Sequence, residues 1–231
     1  MTVDPTLVGH WGLDEDSGTV AGDLSGNGRH GALVGDTQWE PSVGQVGGSA
    51  AFDSYTGDLD HIDLPSGDAA LDNLQETSYT LSAWVRPNST PPGSDESDND
   101  YAYGFVITTG HHTGLWYGAD QRFHMTRQFE NVTLNLESDV FAPGEFHHVT
   151  AVYYLEYGFL SLYIDGNYVN IVTFDPAETI HDFSNTIWRM GLAEPDAVQS
   201  GMYAHMNLDD VRMYNRALNF HEIQSIAGLK N

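Results

Sequence analysis

The sequence of 231 residues contains no cysteine and very few basic residues. The absence of cysteine excludes disulfide bonds and metal sites built from thiolates. Lysine and arginine together number 8 against 33 aspartates and glutamates, which gives a formal net charge of −25. Because phosphate contacts require clustered lysine and arginine side chains, we expect no nucleic acid as a partner.

Long apolar runs are also missing. No stretch approaches the roughly 18 consecutive apolar residues that indicate a membrane-spanning helix, so we expect no membrane insertion. The N-terminus has neither the basic region nor the apolar segment of a secretory signal, so we expect no signal peptide in the chain as given.

The acidic excess predicts a particular environment. Lys230 is the only lysine, and self-repulsion of this strength loosens a compact protein. Molar salt screens such repulsion beyond about 3 Å. The composition is therefore typical of a protein from a salt-loving organism, although some marine proteins are also acidic.

The hydrophobic pattern predicts an all-β protein. Residues 79–85 alternate as in a strand, and residues 146–155 are apolar on both faces, as in a central strand. Residues 158–165 lead through Asp165-Gly166-Asn167 into another apolar stretch, which is a hairpin signal. We predict one domain over residues 1–231, folded as an antiparallel two-sheet β-sandwich of jelly-roll type.

The C-terminal region carries two local signals. The apolar alternation slips at Asp209-Asp210, and a β-bulge there would turn one carboxylate toward the N-terminal part of the chain. A capping box begins at Asn219, and Gly228 ends the apolar pattern that follows. We therefore predict a single short helix at the C-terminus.

Residues 22–31 form a glycine-rich loop that contains Asp23 and Asn27. A tightly turning backbone with a carboxylate and an amide oxygen offers the hard oxygen ligands that Ca²⁺ prefers. Aspartate, asparagine and glycine are also ordinary turn formers, so a loop without an ion is the alternative interpretation.

Seven segments occur in the order found in a known family: residues 10–15, 23–31, 51–53, 79–85, 146–149, 162–166 and 208–218. On these segments the chain resembles the laminin-G-like branch of the concanavalin-A-like lectin/glucanase fold. The resemblance implies a calcium ion held between the early loop and the late acidic pair. Its ligands would be Asp23, Asn27, His30 and one or both of Asp209 and Asp210.

Because glucanases share this fold, catalysis is a competing hypothesis. The nearest pair of alternating carboxylates is Asp58 and Asp60, and the segment around them lacks the glutamate of such enzymes. Histidine pairs such as His111-His112 would point to opposite faces of a strand, so they do not indicate a zinc site. We therefore predict a protein without catalytic activity.

Aromatic residues in loop-like sequence favour a binding function. Trp116 and Tyr117 follow a Gly-His-His-Thr-Gly stretch and are candidates for stacking on a sugar ring. Arg122 and His124 on the next predicted strand would add hydrogen bonds. The alternative interpretation places Trp116 at one end of the core.

Together these features predict a calcium-stabilised adhesion module that binds a glycan or glycoprotein and faces the outside. One context is the surface of a virion that infects halophiles, in a homo-oligomer or larger assembly. The alternatives are an accessory carbohydrate-binding domain of a secreted enzyme and a glycosidase or lyase.

Overall fold

The computed structural model describes residues 4–53, 59–91, 102–109, 113–178, 187–191 and 204–229. Within these ranges the chain forms sixteen β-strands and two short α-helices. The strands are β1 (Leu7–Trp11), β2 (Val20–Ala21), β3 (Gly31–Val34), β4 (Gln38–Glu40), β5 (Ser49–Asp53), β6 (His61–Asp63), β7 (Tyr79–Pro87), β8 (Ala102–Thr108), β9 (Thr113–Gly118), β10 (Arg122–Gln128), β11 (Thr133–Val140), β12 (His147–Tyr154), β13 (Phe159–Ile164), β14 (Asn167–Thr173), β15 (Trp188–Met190) and β16 (His205–Tyr214). The helices are α1 (Ala69–Asp72) and α2 (Phe220–Ile226).

The strands form two antiparallel sheets of eight strands each. Sheet I has the order β14-β13-β12-β7-β16-β5-β4, and β1 also pairs with β16. Sheet II has the order β11-β10-β9-β8-β15-β6-β3-β2. The predicted antiparallel two-sheet sandwich is therefore confirmed. Because β1 pairs with β16, the N-terminal and C-terminal strands lie side by side in sheet I.

The main core lies between the two sheets and is built from the alternating faces of their strands. In β7 the residues Tyr79, Leu81, Ala83 and Val85 contribute to this core, as the alternation of residues 79–85 predicts. The prediction that β12 is a central strand is also confirmed, because it pairs with both β7 and β13.

The predicted turn and bulge are both present. Asp165 and Gly166 have φ values of 50° and 72° and connect β13 to β14 in a tight hairpin. The register between β16 and β7 shifts between Asp209 and Arg212, and Asp210 has a φ of 49°. This bulge is the one that the slipped alternation predicts, and it changes the directions of two successive carboxylates.

Helix α2 begins after Asn219, whose side chain forms a capping box with Glu222, as expected. The prediction of a single helix was incomplete, because α1 is a second one. Asp68 caps α1, and its side chain accepts hydrogen bonds from the backbone N–H groups of Ala70 and Leu71. A helix of four residues is too short to show a 3.6-residue periodicity, which explains why the sequence pattern did not reveal it.

Among the described residues, neither helix is long and apolar enough to cross a membrane.

Candidate functional site

Asp23 is the centre of the glycine-rich loop. Its Oδ1 accepts backbone hydrogen bonds from His10 at 3.1 Å and Ser25 at 2.9 Å, and its Oδ2 accepts one from Arg29 at 2.9 Å. Burial opposes ionisation of this carboxyl, but hydrogen bonds from Ser25, Arg29 and His10 outweigh that effect and lower its pKa. The carboxylate therefore stabilises the loop through backbone donors.

Asn27 and His30, the other two predicted ligands of this loop, also bind protein atoms. Asn27 Nδ2 donates to the carbonyl oxygens of Leu7 at 2.8 Å and Val8 at 3.2 Å, which holds the loop against β1. His30 Nδ1 accepts the backbone N–H of Asp23 at 3.0 Å. Their assignment as calcium ligands stays a prediction, and the contacts observed here are those of a hydrogen-bonded loop.

Asp210 on the bulge is joined to the early loop through His10. Its Oδ1 lies 2.6 Å from His10 Nε2, and its Oδ2 lies 2.8 Å from Arg212 Nη2. Burial alone would raise the pKa of Asp210. The opposing effects of His10 and Arg212 are larger together, so the net shift of the pKa is downward. Since the backbone N–H of His10 binds Asp23, one residue of β1 connects the two acidic segments that the sequence predicts to be close.

Asp209 is in a different environment from Asp210. It is fully buried, and its Oδ2 accepts the backbone N–H groups of Gln45 and Val46, each at 2.7 Å. Its Oδ1 is buried without a hydrogen-bond partner among the described residues. Burial raises the pKa of this carboxyl to about 7 against the effect of those N–H groups, and Asp210 and Asp14 raise it further. Among the five predicted calcium ligands, Asp209 is therefore the residue whose buried carboxylate oxygen has no hydrogen-bond partner in the described part of the chain.

Asp14 contacts the same loop, residues 44–48, that contacts Asp209. Its Oδ1 accepts the backbone N–H of Gly48 at 2.6 Å. Gly47 has a φ of 90°, and a Cβ there would overlap Asp14 Oδ1, so the close approach requires glycine. Asp14 was not among the calcium ligands predicted from the sequence. Two acids far apart in sequence contact one glycine-rich loop, and periodicity within a strand cannot reveal that relation.

Trp116 lies on the face of sheet II that points away from the main core. It is half-buried and stacks on His124, with ring centroids 3.8 Å apart and an angle of 4° between the planes. Its Nε1 donates to Thr126 Oγ1 at 2.9 Å. Trp116 packs beside a small separate cluster that includes Ile107. It therefore does not close the main core, which was the alternative interpretation.

Polar groups surround this stack. His124 Nε2 lies 3.0 Å and 3.1 Å from the two carboxylate oxygens of Asp120. Burial lowers the pKa of His124, and the opposing effect of Asp120 does not reverse the shift. Glu137 on β11 pairs with His124 across the sheet. Arg122 Nη1 donates to the carbonyl oxygen of Ser138.

Tyr117 does not belong to this surface, which corrects the expectation that it contacts a ligand. Its side chain is fully buried in the core, and its hydroxyl donates to the carbonyl oxygen of Phe141 at 2.7 Å. Successive residues of a strand point to opposite faces, so Trp116 and Tyr117 cannot both face the same ligand.

Asp60, half of the carboxylate pair weighed for catalysis, is 2% exposed. Its Oδ1 accepts the backbone N–H of Asp36 at 2.6 Å, and its Oδ2 accepts that of Asp53 at 3.0 Å. Both oxygens therefore stabilise neighbouring backbone. Asp58 lies outside the described residues.

Comparison with known sequences identifies a family. The family model Laminin_G_3, described as "Concanavalin A-like lectin/glucanases superfamily", matches residues 56–224. A search of the curated proteins finds no match.

Solved structures with the same fold include toxin binding domains. The binding domain of botulinum neurotoxin DC in complex with rat synaptotagmin II has a TM-score of 0.73 at 15% identity, and the alignment covers 99% of this chain and 53% of that one. The binding domain of Paraclostridial Mosquitocidal Protein 1 has a TM-score of 0.74 at 16% identity, with coverages of 98% and 52%. The neurotoxin DC binding domain in complex with SialylT has a TM-score of 0.70 at 14% identity, with coverages of 99% and 53%. This chain spans about half the length of these structures.

Replacing Asp23 by alanine tests whether the early loop depends on backbone hydrogen bonds. Asp23→Ala removes the acceptor of three backbone N–H groups, so we expect the free energy of unfolding to fall by about 2–4 kcal/mol. Urea unfolding in calcium-free buffer with a chelator measures this. The exposed Asp16→Ala is the control and should leave stability nearly unchanged. A loss of stability seen only when calcium is present would show that Asp23 acts through an ion.

Proposed function

We propose that this chain, which belongs to the concanavalin A-like lectin/glucanase superfamily, is a non-catalytic module that binds a glycan or a glycoprotein. The observation that carries the proposal is the stack of Trp116 on His124 on the outer face of sheet II. The neurotoxin structures of this fold are described as binding domains, one in complex with synaptotagmin II and another with SialylT. They support a binding role by analogy of fold.

The physical basis of the proposal is a rigid aromatic side chain among polar groups. The ring of Trp116 is held by the parallel ring of His124 and by its hydrogen bond to Thr126, whose hydroxyl in turn donates to Asn135 at 3.0 Å. A fixed ring loses little conformational entropy when a ligand binds. The carboxylates and amides around it are acceptors and donors for hydroxyl groups, the combination that orients small ligands at apolar surfaces.

The position of Asp60 favours binding over hydrolysis. A catalytic carboxylate must reach the substrate or an attacking water. Asp60 is buried, and both of its oxygens accept backbone hydrogen bonds from neighbouring strands and turns.

Truncation of Trp116 tests the binding surface. We expect Trp116→Ala to weaken glycan binding by about tenfold or more, because an anchoring aromatic residue typically contributes 2 kcal/mol or more. A glycan array identifies a ligand, and titration calorimetry then measures the loss.

The matched control is Tyr168→Ala, which removes an aromatic side chain that is 52% exposed at the edge of sheet I. This variant should bind as the wild type does. Equal binding by the Trp116 variant, or cleavage of a polysaccharide panel by the purified protein, would contradict the proposal.

We also propose that a calcium ion stabilises the module at Asp209, together with Asp14. The buried Oδ1 of Asp209 and the raised pKa of its carboxyl fit a cation-binding position. Oxygen atoms are the ligands that calcium prefers. An ion there would neutralise the two carboxylates and hold the loop of residues 44–48 on β16.

Thermal unfolding tests this proposal. Ligand at a hundredfold excess over its Kd stabilises by about 2.7 kcal/mol, which raises the melting temperature of a chain of this length by about 5–10 °C. We expect that rise in calcium relative to chelator for the wild type and for the exposed control Asp16→Asn. Asp209→Asn should abolish it.

A response that survives Asp209→Asn but is lost in Asp23→Asn would instead place the ion in the early loop. An identical melting temperature in calcium and chelator would reject calcium altogether.

For the biological context, we propose display outside a cell in high salt, as a virion surface protein of a virus of halophiles or as an accessory domain of a secreted enzyme. The net charge of −25 supports the saline environment. Homo-oligomers or a larger virion assembly would present several copies of the Trp116 surface and increase avidity.

The saline environment predicts a salt-dependent stability. We expect the melting temperature to rise from low to molar sodium chloride, because screening removes repulsion between carboxylates. A variant in which four exposed carboxylates become amides should need less salt: Asp16→Asn, Glu130→Gln, Asp139→Asn and Glu156→Gln. Melting temperatures that do not change with salt in either protein would contradict adaptation to brine.

A further inference from the structure

Three side chains on the outer face of sheet II meet at the spacing of a metal site. Asp120, His124 and Glu137 each offer one ligand atom, and these atoms lie within 4.8 Å of one another. We propose that these three residues bind a divalent transition-metal ion of the zinc class. The site is separate from Asp209, and it does not depend on glycan binding.

Different elements bring the three ligands together. Asp120 lies in the turn between β9 and β10, where Gln121 has a φ of 60° and the backbone N–H of Arg122 donates to Asp120 Oδ1 at 3.1 Å. His124 follows on β10, and Glu137 pairs with it from β11. The ligands are therefore positioned by a tight turn and by strand register, which fix their backbone positions before an ion binds.

The first two ligand atoms are already within about 0.5 Å of the separation that a zinc ion requires. Zinc binds histidine nitrogen and carboxylate oxygen at about 2.0–2.2 Å, so tetrahedral ligand atoms lie about 3.3–3.5 Å apart. His124 Nε2 is 3.0 Å and 3.1 Å from the oxygens of Asp120. Glu137 is exposed, so its side chain can move the remaining distance without repacking the core.

Trp116 fixes the direction of the imidazole. Its ring lies parallel to that of His124 at 3.8 Å, and His124 is only 8% exposed. A histidine that is already oriented loses little side-chain freedom when it binds a metal, and groups that hold a ligand in position affect the metal affinity. The indole also places a fluorescent group beside the ion.

The ligand types select the ion. Calcium requires six to eight oxygen ligands, whereas one imidazole with two carboxylates suits zinc and related ions. Three protein ligands leave at least one position for water or for an oxygen atom of a bound molecule. The guanidinium of Arg122 leaves the carboxylate of Asp120 accessible to an ion. Its Nε is 3.8 Å from Asp120, and its Nη1 donates a hydrogen bond to the carbonyl oxygen of Ser138.

Titration calorimetry with zinc chloride tests the inference directly. Excess calcium chloride in every sample occupies the oxygen-ligand site proposed at Asp209. We expect one zinc ion per chain and a change in tryptophan fluorescence at the same equivalence point. Glu137→Gln, Asp120→Asn and His124→Gln should each weaken zinc binding by more than about tenfold, because even changes to residues that only hold a ligand in position cause losses of that size.

Two exposed residues supply matched controls. Asp139→Asn removes another carboxylate from β11, and His221→Gln removes a histidine on α2. Both variants should retain the wild-type affinity for zinc. Glu137→Gln keeps the proposal testable if His124→Gln fails to fold, because Glu137 is exposed.

Two results would overturn the proposal: no zinc binding by the wild-type protein, or unchanged binding in Glu137→Gln and Asp120→Asn. Loss of zinc binding in His221→Gln would place the ion at a surface histidine on α2 and would also contradict the proposal. A glycan titration with a zinc chelator then separates the two functions. Unchanged glycan affinity under chelation leaves the proposed binding function intact, whatever the zinc result.

Discussion

The hydrogen bond from a backbone N–H group to a buried aspartate is the interaction on which this fold most depends. Without cysteine, the chain must connect its loops by other means. Asp23 accepts three backbone hydrogen bonds from β1 and the early loop, and Asp60 and Asp209 accept two each. Bonds to a charged acceptor are roughly twice as strong as neutral ones, and Asp23, whose pKa is lowered, is such an acceptor. The same residue type that gives the protein its large negative charge therefore also holds its loops in place.

The few arginine side chains also form hydrogen bonds within the fold. All seven arginines hydrogen-bond to acidic, amide, hydroxyl or carbonyl groups: Arg29, Arg86, Arg122, Arg127, Arg189, Arg212 and Arg216. Arg127 is an example in the core, where its Nη1 donates to Gln75 Oε1 and its guanidinium lies over aromatic rings. Because 33 acids face so few basic residues, much of the remaining negative charge must be balanced from solution. Both proposed ion sites include carboxylates that belong to this acidic excess.

The sequence predicts the features that depend on neighbouring residues. Alternation located β7, the turn at Asp165 and Gly166 located a hairpin, and the slipped pattern at Asp209 located the bulge. Each of these signals arises from residues within one strand or turn, where side-chain direction follows from the backbone period.

Contacts between residues that are far apart in the sequence were harder to predict. The sequence suggested that the early loop and the end of the chain are close, and His10 does contact both Asp23 and Asp210. The sequence could not show that Asp14 and Asp209 contact one glycine-rich loop. Which residues meet across a sheet depends on the register of all its strands. The error at Tyr117 was of another kind. A loop-like composition suggested exposure, but β9 continues through this residue and places it in the core.

The proposed binding surface and the contacts that stabilise the chain ends consequently lie in different sheets. The aspartate contacts that connect the chain ends cluster around β1 and β16 in sheet I, whereas Trp116 and His124 lie on β9 and β10 in sheet II. A side chain carried by a paired strand keeps its direction better than one carried by a loop, which suits a surface that must be preorganised. If Trp116 contacts the ligand as proposed, changes at this residue alter binding without disturbing the aspartate contacts around β1 and β16. In general, one fold can host many functions, because the residues that form a binding site are different from those that hold the fold together.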